Sequence, residues 1–182
     1  MNDDTLTHAL DQLDLLLQRE SLQIEIVICG AYAIKLHGFD RGIFTQDIHS
    51  ITSLTSPRVI KLIQEVGNSL GLGPKWLNDQ ASTVPIPEGA LARARPLEQW
   101  TAIKASLIHR LDLIKMKASA FSIRREETLK DWEDLKLLRP SSEELEAAIE
   151  FIRVTNSPPQ TASKRIKEEF QETIDDLRKL NS

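Results

Sequence analysis

The run Ile24-Glu25-Ile26-Val27-Ile28-Cys29 is rich in β-branched residues and stops at Gly30. It is too short for a helix and nearly continuous in apolar character, which predicts a buried strand. Residues 31–37 then resume helical spacing up to Gly38. After the turn Gly38-Phe39-Asp40-Arg41-Gly42, the segment from Ile43 to Ile51 reads as a second strand. A buried strand followed through one glycine by a helix and then by a second strand makes α+β the expected fold class.

The flanking segments fit this frame. Residues 5–18 place Leu6, Ala9, Leu10, Leu13, Leu16 and Leu17 on one face of a helix, with Asp11, Asp14 and Gln18 elsewhere. Ser56 offers an N-cap with Pro57 at the first helical position, opening a helix that ends near Gly71. Between Gly71 and Pro96 the chain is loop-rich, with a short strand expected around Val84 and a further one over Leu97–Ala105. Ser106 is placed to cap a helix carrying Leu107, Leu111, Ile114, Ala118 and Phe121. The next helix carries Leu129, Trp132, Leu135 and Leu138. Ser141 with Glu144 forms a capping box for another, and Ser157-Pro158-Pro159 is a linker to a charged final helix over 162–180. We divide the chain into an α/β core, 1–140, and a helical extension, 141–182.

At 182 residues the chain is long enough to bury a core. Its formal net charge of -4 argues against a generally basic nucleic-acid binder, while leaving a local basic groove open. No apolar run is long enough to span a bilayer, and the start Met-Asn-Asp-Asp is acidic where a secretory signal is basic, so a cytoplasmic location with no membrane partner is expected. The single Cys29 has no internal disulfide partner and reads as a small core residue.

Chemistry concentrates where the first strand ends. A glycine at the mouth of a helix lets backbone N–H groups approach a phosphate, and Gly30 with Ala31 holds that place. A plain tight turn explains the glycine equally. Asp47 and His49, two residues apart on an expected strand, share a face and make a metal-binding pair. Paired carboxylates there would suit Mg²⁺, whereas an imidazole suits Zn²⁺, Mn²⁺ or Fe better. The same pair also fits a polar strand end exposed to water. Asp131 and Asp134 lie on the polar flank of their helix, placed to face solvent or to bind a nearby Lys or Arg, while Lys115, Lys117, Arg124 and Arg125 read as the exposed side of a core helix or as a cluster that neutralises phosphates.

Taken together, Gly30-Ala31-Tyr32-Ala33, Leu36-His37-Gly38, Arg41 and Thr45-Gln46-Asp47-Ile48-His49 resemble the Gly-Gly-Tyr-Ala, His-Gly, Arg and Thr-x-Asp-Ile-Asp pattern of nucleotidyltransferase-like proteins. Gly71-Leu72 with Trp76-Leu77-Asn78-Asp79, and Met116-Lys117-Ala118 with Lys130-Asp131-Trp132-Glu133-Asp134-Leu135, extend the likeness to the DUF6036 group, related to the AbiEii toxins of type IV toxin–antitoxin systems. The resemblance covers about residues 24–138. It implies an α+β, polymerase-β-like nucleotidyltransferase fold, a mixed sheet backed by helices with a helical C-terminal part, that transfers a nucleoside monophosphate from an NTP to an RNA or protein hydroxyl with Mg²⁺ or Mn²⁺.

Carried over, Gly30 and Ala31 form the nucleotide-binding turn, Asp47 and His49 the metal position, Lys117 a phosphate contact, and Asp131 and Asp134 the late acidic residues of a catalytic set. Two residues depart from the pattern: Ala31 stands for a second glycine or a serine, and His49 for the second aspartate. The second departure opens an alternative, a non-catalytic protein of the same fold that binds a nucleotide or a partner such as a cognate toxin or antitoxin. A third alternative is an α+β interaction module with no nucleotide site. The apolar stripe Ile166, Phe170, Ile174 and Leu177 must bury on the core or on a second protomer, which admits a homodimer. Trp76 and Trp100 read as core anchors and His37 as a structural histidine.

Overall fold

The computed structural model describes residues 4–39, 45–124 and 129–181. Among them the chain is α+β, with eight α-helices and a five-stranded mixed sheet. Its contacts gather into two compact units, one from residues 1–83 and 89–109, the other from 84–88 and 110–182. No described helix is long and apolar enough to cross a membrane.

The first unit is built on the sheet. Strand β1 (Ile24–Cys29) pairs antiparallel with β2 (Ile48–Ser50) and parallel with β5 (Ile103–Leu107). β2 pairs parallel with β3 (Leu77–Asn78), and β5 antiparallel with β4 (Arg95–Leu97), giving the order β3-β2-β1-β5-β4. β1 is central and buried at every position except Glu25, as its unbroken apolar character requires. Pro96 lies on the edge strand β4, where a missing N–H costs no ladder bond on the open side. Helix α1 (Asp4–Arg19) buries Leu6, Leu10, Leu13 and Leu17 and packs on α3 (Pro57–Ser69), while α2 (Gly30–Leu36) follows β1 directly. Ser56 caps α3 by accepting from the Val59 N–H, and Trp76, 1% exposed, donates its indole N–H to the Ile63 carbonyl.

Several local expectations change. The second strand begins at Ile48: Thr45–Asp47 lie outside it, and Ile43 is outside the described residues. Val84 is in no strand; the pairing instead falls on Leu77–Asn78, followed by a 3-10 turn at Gln80–Thr83. The single strand expected over Leu97–Ala105 is a hairpin that turns after Leu97. Its second arm alternates through buried Ile103, Ala105 and Leu107. Ser106 therefore sits inside β5 and caps nothing, and the following helix starts at Arg110. Asp14, assigned by spacing to the polar side of α1, is buried at 6% exposure because it accepts the backbone N–H groups of Ala102 and Ile103.

The second unit is helical: α5 (Arg110–Arg124), α6 (Lys130–Leu138), α7 (Ser142–Thr155) and α8 (Lys164–Arg178), with the short α4 (Ala90–Arg93) belonging to the first unit. The helices on both sides of Pro140 thus belong to one unit. The capping box at Ser141 and Glu144 is present, and Glu144 also takes a two-pronged contact from Arg110, whose Nη2 reaches the Leu138 carbonyl at 2.7 Å. One guanidinium thereby ties the start of α5 to the end of α6 and the cap of α7. Phe121 stacks on Trp132 at 5.0 Å. Leu129, expected in the buried stripe of α6, is 74% exposed because the helix starts after it.

Candidate metal and nucleotide site

β1 ends at Cys29, and Gly30 opens α2 with φ +71, a left-handed value that a side chain tolerates poorly. A Cβ placed on Gly30 would also lie 3.0 Å from Cδ2 of His49. Sheet register sets this meeting, since Cys29 pairs with His49 across the β1–β2 ladder. The glycine thus answers two demands, the turn into the helix and clearance for the ring. Ala31 follows it in the first turn of α2.

Asp47 precedes β2 and His49 sits within it. Their side chains meet, with His49 Nε2 3.3 Å from Asp47 Oδ2, and both remain partly open, His49 29% and Asp47 41% exposed. The Thr45 hydroxyl lies 3.1 Å from the Asp47 backbone carbonyl and 3.3 Å from the other carboxylate oxygen, Asp47 Oδ1, so its one proton is shared between main chain and side chain. On the far side of the ring, His49 Nδ1 lies 2.9 Å from Asn78 Oδ1, and these residues are register partners on β2 and β3. The Asn78 amide is oriented by two backbone contacts: Oδ1 accepts the Gln80 N–H and Nδ2 donates to the Lys75 carbonyl. Its oxygen must therefore face the ring, so Nδ1 carries the proton and donates. In the neutral ring this leaves the Nε2 lone pair toward Asp47.

Asp47 and His49 are the residues at this turn that could take part in holding a cation. Mg²⁺ is commonly held by one or two protein carboxylates with substrate phosphates completing its shell. Asp47 supplies one such oxygen, and the neighbouring position is an imidazole nitrogen. Among the described residues no group of three or more His, Cys, Asp or Glu is arranged to hold a metal. His37, near the same turn, places Nε2 3.0 Å from the Ile108 carbonyl and is structurally engaged. Arg41 lies outside the described residues.

The remaining predicted residues lie in the second unit and meet one another. Lys117 Nζ is 2.9 Å from Asp131 Oδ1 and 2.7 Å from Asp134 Oδ2, and Arg124 Nη2 is 3.1 Å from Asp131 Oδ2. Asp131 and Asp134 are buried, so they do not face solvent as their flank position allows. Two carboxylates facing two cations form a charge-compensated cluster inside the helical unit. Lys117 directs its charge inward, to these carboxylates.

Sequence reasoning missed the orienting roles of Asn78 and Thr45. The signal for Thr45 was its position two residues before Asp47. Asn78 was legible only as part of the Trp76-Leu77-Asn78-Asp79 segment, because a two-residue strand has no periodicity that would pair it with His49. Set against protein-family models, curated proteins and solved structures, the chain gives no match in any of the three.

Proposed function

We propose that this chain is a nucleotidyltransferase-like protein of the polymerase-β-like fold that binds an NTP through a single divalent cation, Mg²⁺ or Mn²⁺, at Asp47 and His49. It does so as a binding module without transfer chemistry. The observation that carries this reading is the donor set itself, one carboxylate and one imidazole 3.3 Å apart beside the Gly30 turn. Phosphate oxygens of the nucleotide would fill the positions that the protein leaves open, with Gly30 and Ala31 presenting the backbone to them. Lys117, Asp131 and Asp134 enter this reading as an internal ion cluster.

A second reading keeps the transfer reaction, and the 41% exposure of Asp47 favours it by leaving the carboxylate open to a metal-bound substrate. In that reading an RNA or protein hydroxyl oxygen attacks the α-phosphorus and the bond to the β-phosphate breaks. Pyrophosphate leaves, and the hydroxyl proton passes to solvent. One carboxylate organises such an in-line attack less well than two.

The test is label transfer from α-phosphate-labelled NTPs into total bacterial RNA and protein with Mg²⁺ or Mn²⁺, alongside equilibrium binding of the same NTPs. Native protein, Asp47→Ala and His49→Asp are compared. The expected result is metal-dependent NTP binding that Asp47→Ala abolishes, with no transfer by the native chain. Transfer that disappears in Asp47→Ala establishes the second reading, and NTP binding indifferent to Asp47 removes both.

A further inference from the structure

The helices α5, α6, α7 and α8 of the second unit each bring one end to the same place. Asn156, at the C-cap of α7, directs its amide nitrogen Nδ2 to the hydroxyls of Ser119 and Ser122, 2.9 and 2.5 Å away, which joins the ends of α7 and α5. Arg124 in the last turn of α5 reaches Asp131 in the first turn of α6. A groove of about 880 Å³ opens beside them, lined by Ile123 and Asn156 and, from the first half of α8, by Ile166 and Phe170.

This end is where the helices leave apolar surface uncovered. Ile123 in the last turn of α5, Leu129 at the N-cap of α6, Val154 in the last turn of α7 and Ile166 in the first turn of α8 are exposed, from 44% at Ile166 to 76% at Val154. Among the described residues of these four helices and their caps, no other large apolar side chain is exposed. One exposed aliphatic means nothing, but four gathered at one end make a patch of the kind that marks an interaction surface. The stripe along α8 shows the same division, with Ile174 and Leu177 buried in the unit and Ile166 left open.

Charge says what kind of partner covers it. Lys164, Arg165 and Lys167 fill the first turn of α8 with no acid among them, although a helix N-terminus disfavours cations. Arg124 and Arg153 add to them from the last turns of α5 and α7. Glu168 and Glu169 follow one turn later and meet Lys164 and Arg165 at 3.3 and 3.1 Å, between side chains largely open to water. Such pairs are weak and easily exchanged. The α8 wall of the groove thus runs from cationic at its start to acidic at Glu168, Glu169 and Glu172. A second copy meeting this end through its own sets cations against cations, and a flat bilayer leaves the groove unfilled.

We propose that this end of the helical unit docks an acidic amphipathic helix of a partner protein. Its apolar side chains lie in the groove against Ile123, Ile166 and Phe170, and its carboxylates lie over Arg124, Lys164 and Arg165. The surface uses neither Asp47 nor His49 and stands apart from the nucleotide reading.

The experiment is fluorescence anisotropy of the full chain with labelled helical peptides of about five turns. One carries leucines on one face and glutamates on the other; the second has lysines for the glutamates, and the third alanines for the leucines. The expected result is saturable binding of the leucine–glutamate peptide, weakened by salt, with the other two at least about tenfold weaker. Lys164→Glu with Arg165→Glu, and Leu129→Asp with Val154→Asp, each weaken it by about tenfold or more. Leu15→Asp, at an exposed apolar position of the other unit, leaves it unchanged. Circular dichroism checks that the variants keep their helices, and the charge-reversal pair decides if the apolar pair does not. No binding of the leucine–glutamate peptide, equal binding of the lysine peptide, or equal binding by native protein and variants overturns the proposal. So does cosedimentation with phosphatidylserine vesicles in place of peptide binding, which assigns the end to a bilayer. A dimer that the Leu129→Asp, Val154→Asp pair abolishes, again without peptide binding, overturns it in favour of a second copy.

Discussion

Asp14 offers the sharpest test of how the sheet unit is held. This carboxylate sits in α1, 6% exposed, where Oδ1 accepts the N–H groups of Ala102 and Ile103 at 2.7 and 2.9 Å and Oδ2 accepts from Gln18. Burial raises its pKa, but the backbone donors of Ile103, Ala102 and Thr101, with Gln18, outweigh that and hold it below the ordinary 3.8. Replacing it with alanine leaves two buried N–H groups without an acceptor, each costing about 1–3 kcal/mol, so Asp14→Ala should destabilise the unit by about 2–6 kcal/mol. Asp14→Asn keeps an acceptor and loses the charge. With charge-assisted bonds about twice as strong as neutral ones, the loss should be about 2 kcal/mol.

The sign of the acid dependence follows from the same contacts. Because the folded pKa is depressed, the unfolded chain takes the proton more readily. The stabilisation is complete above about 3.9 and is lost as pH falls through the lower folded value. Urea unfolding followed by tryptophan fluorescence, which reports on Trp76 and Trp100 in this unit and on Trp132 in the other, measures both effects between pH 7 and about pH 2. A loss below about 1 kcal/mol in Asp14→Ala, or an unchanged acid dependence in Asp14→Asn, would refute the reasoning.

Two further predictions concern other parts of the fold. Lys117→Met removes the cation shared by Asp131 and Asp134 and should cost about 3–5 kcal/mol, whereas Lys117→Met with Asp134→Leu should recover at least half of that, read by thermal denaturation. Gly67→Ala should cost about 3 kcal/mol, because the added Cβ would lie 2.1 Å from the Gly73 carbonyl oxygen and 2.5 Å from Trp76 Cδ1. Chemical denaturation should show it more damaging than Gly71→Ala, where nothing stands within 4 Å and only the positive φ is strained.

Those glycines illustrate what a sequence discloses and what it hides. Gly71 was readable as the end of a helix because termination is local, and so were the Ser56 cap, the Ser141 box and the buried run of β1. Gly67 was unreadable, since its reason is the close approach of a loop from outside the helix. Asp14 was misplaced for the same reason. Helical spacing ranks positions by their own side chains, while Asp14 is buried by two N–H groups about 88 residues away that its periodicity cannot register. The β4–β5 hairpin was missed because Trp100 and Ala102 are buried in the connection, which blurred the alternation beginning at Ile103.

At the candidate site, proximity in sequence and proximity in the sheet have to be combined. Asp47 and His49 could be paired from spacing alone, and the 3.3 Å contact brings them together. What gives the pair chemical direction is Asn78, aligned with His49 only because a two-residue strand adds to the edge of β2. Gly30 is joined to the same arrangement through the Cys29–His49 register, so the residue that suggests a phosphate turn is also the one that makes room for the imidazole. A substitution at position 49 therefore alters three contacts at once, with Gly30, Asn78 and Asp47. The ring takes up the space beside the glycine, fixes its own tautomer against the neighbouring strand and directs a nitrogen at the remaining carboxylate. Its clearance beside Gly30, its orientation against Asn78 and its contact with Asp47 are therefore consequences of one side chain and its place in the register.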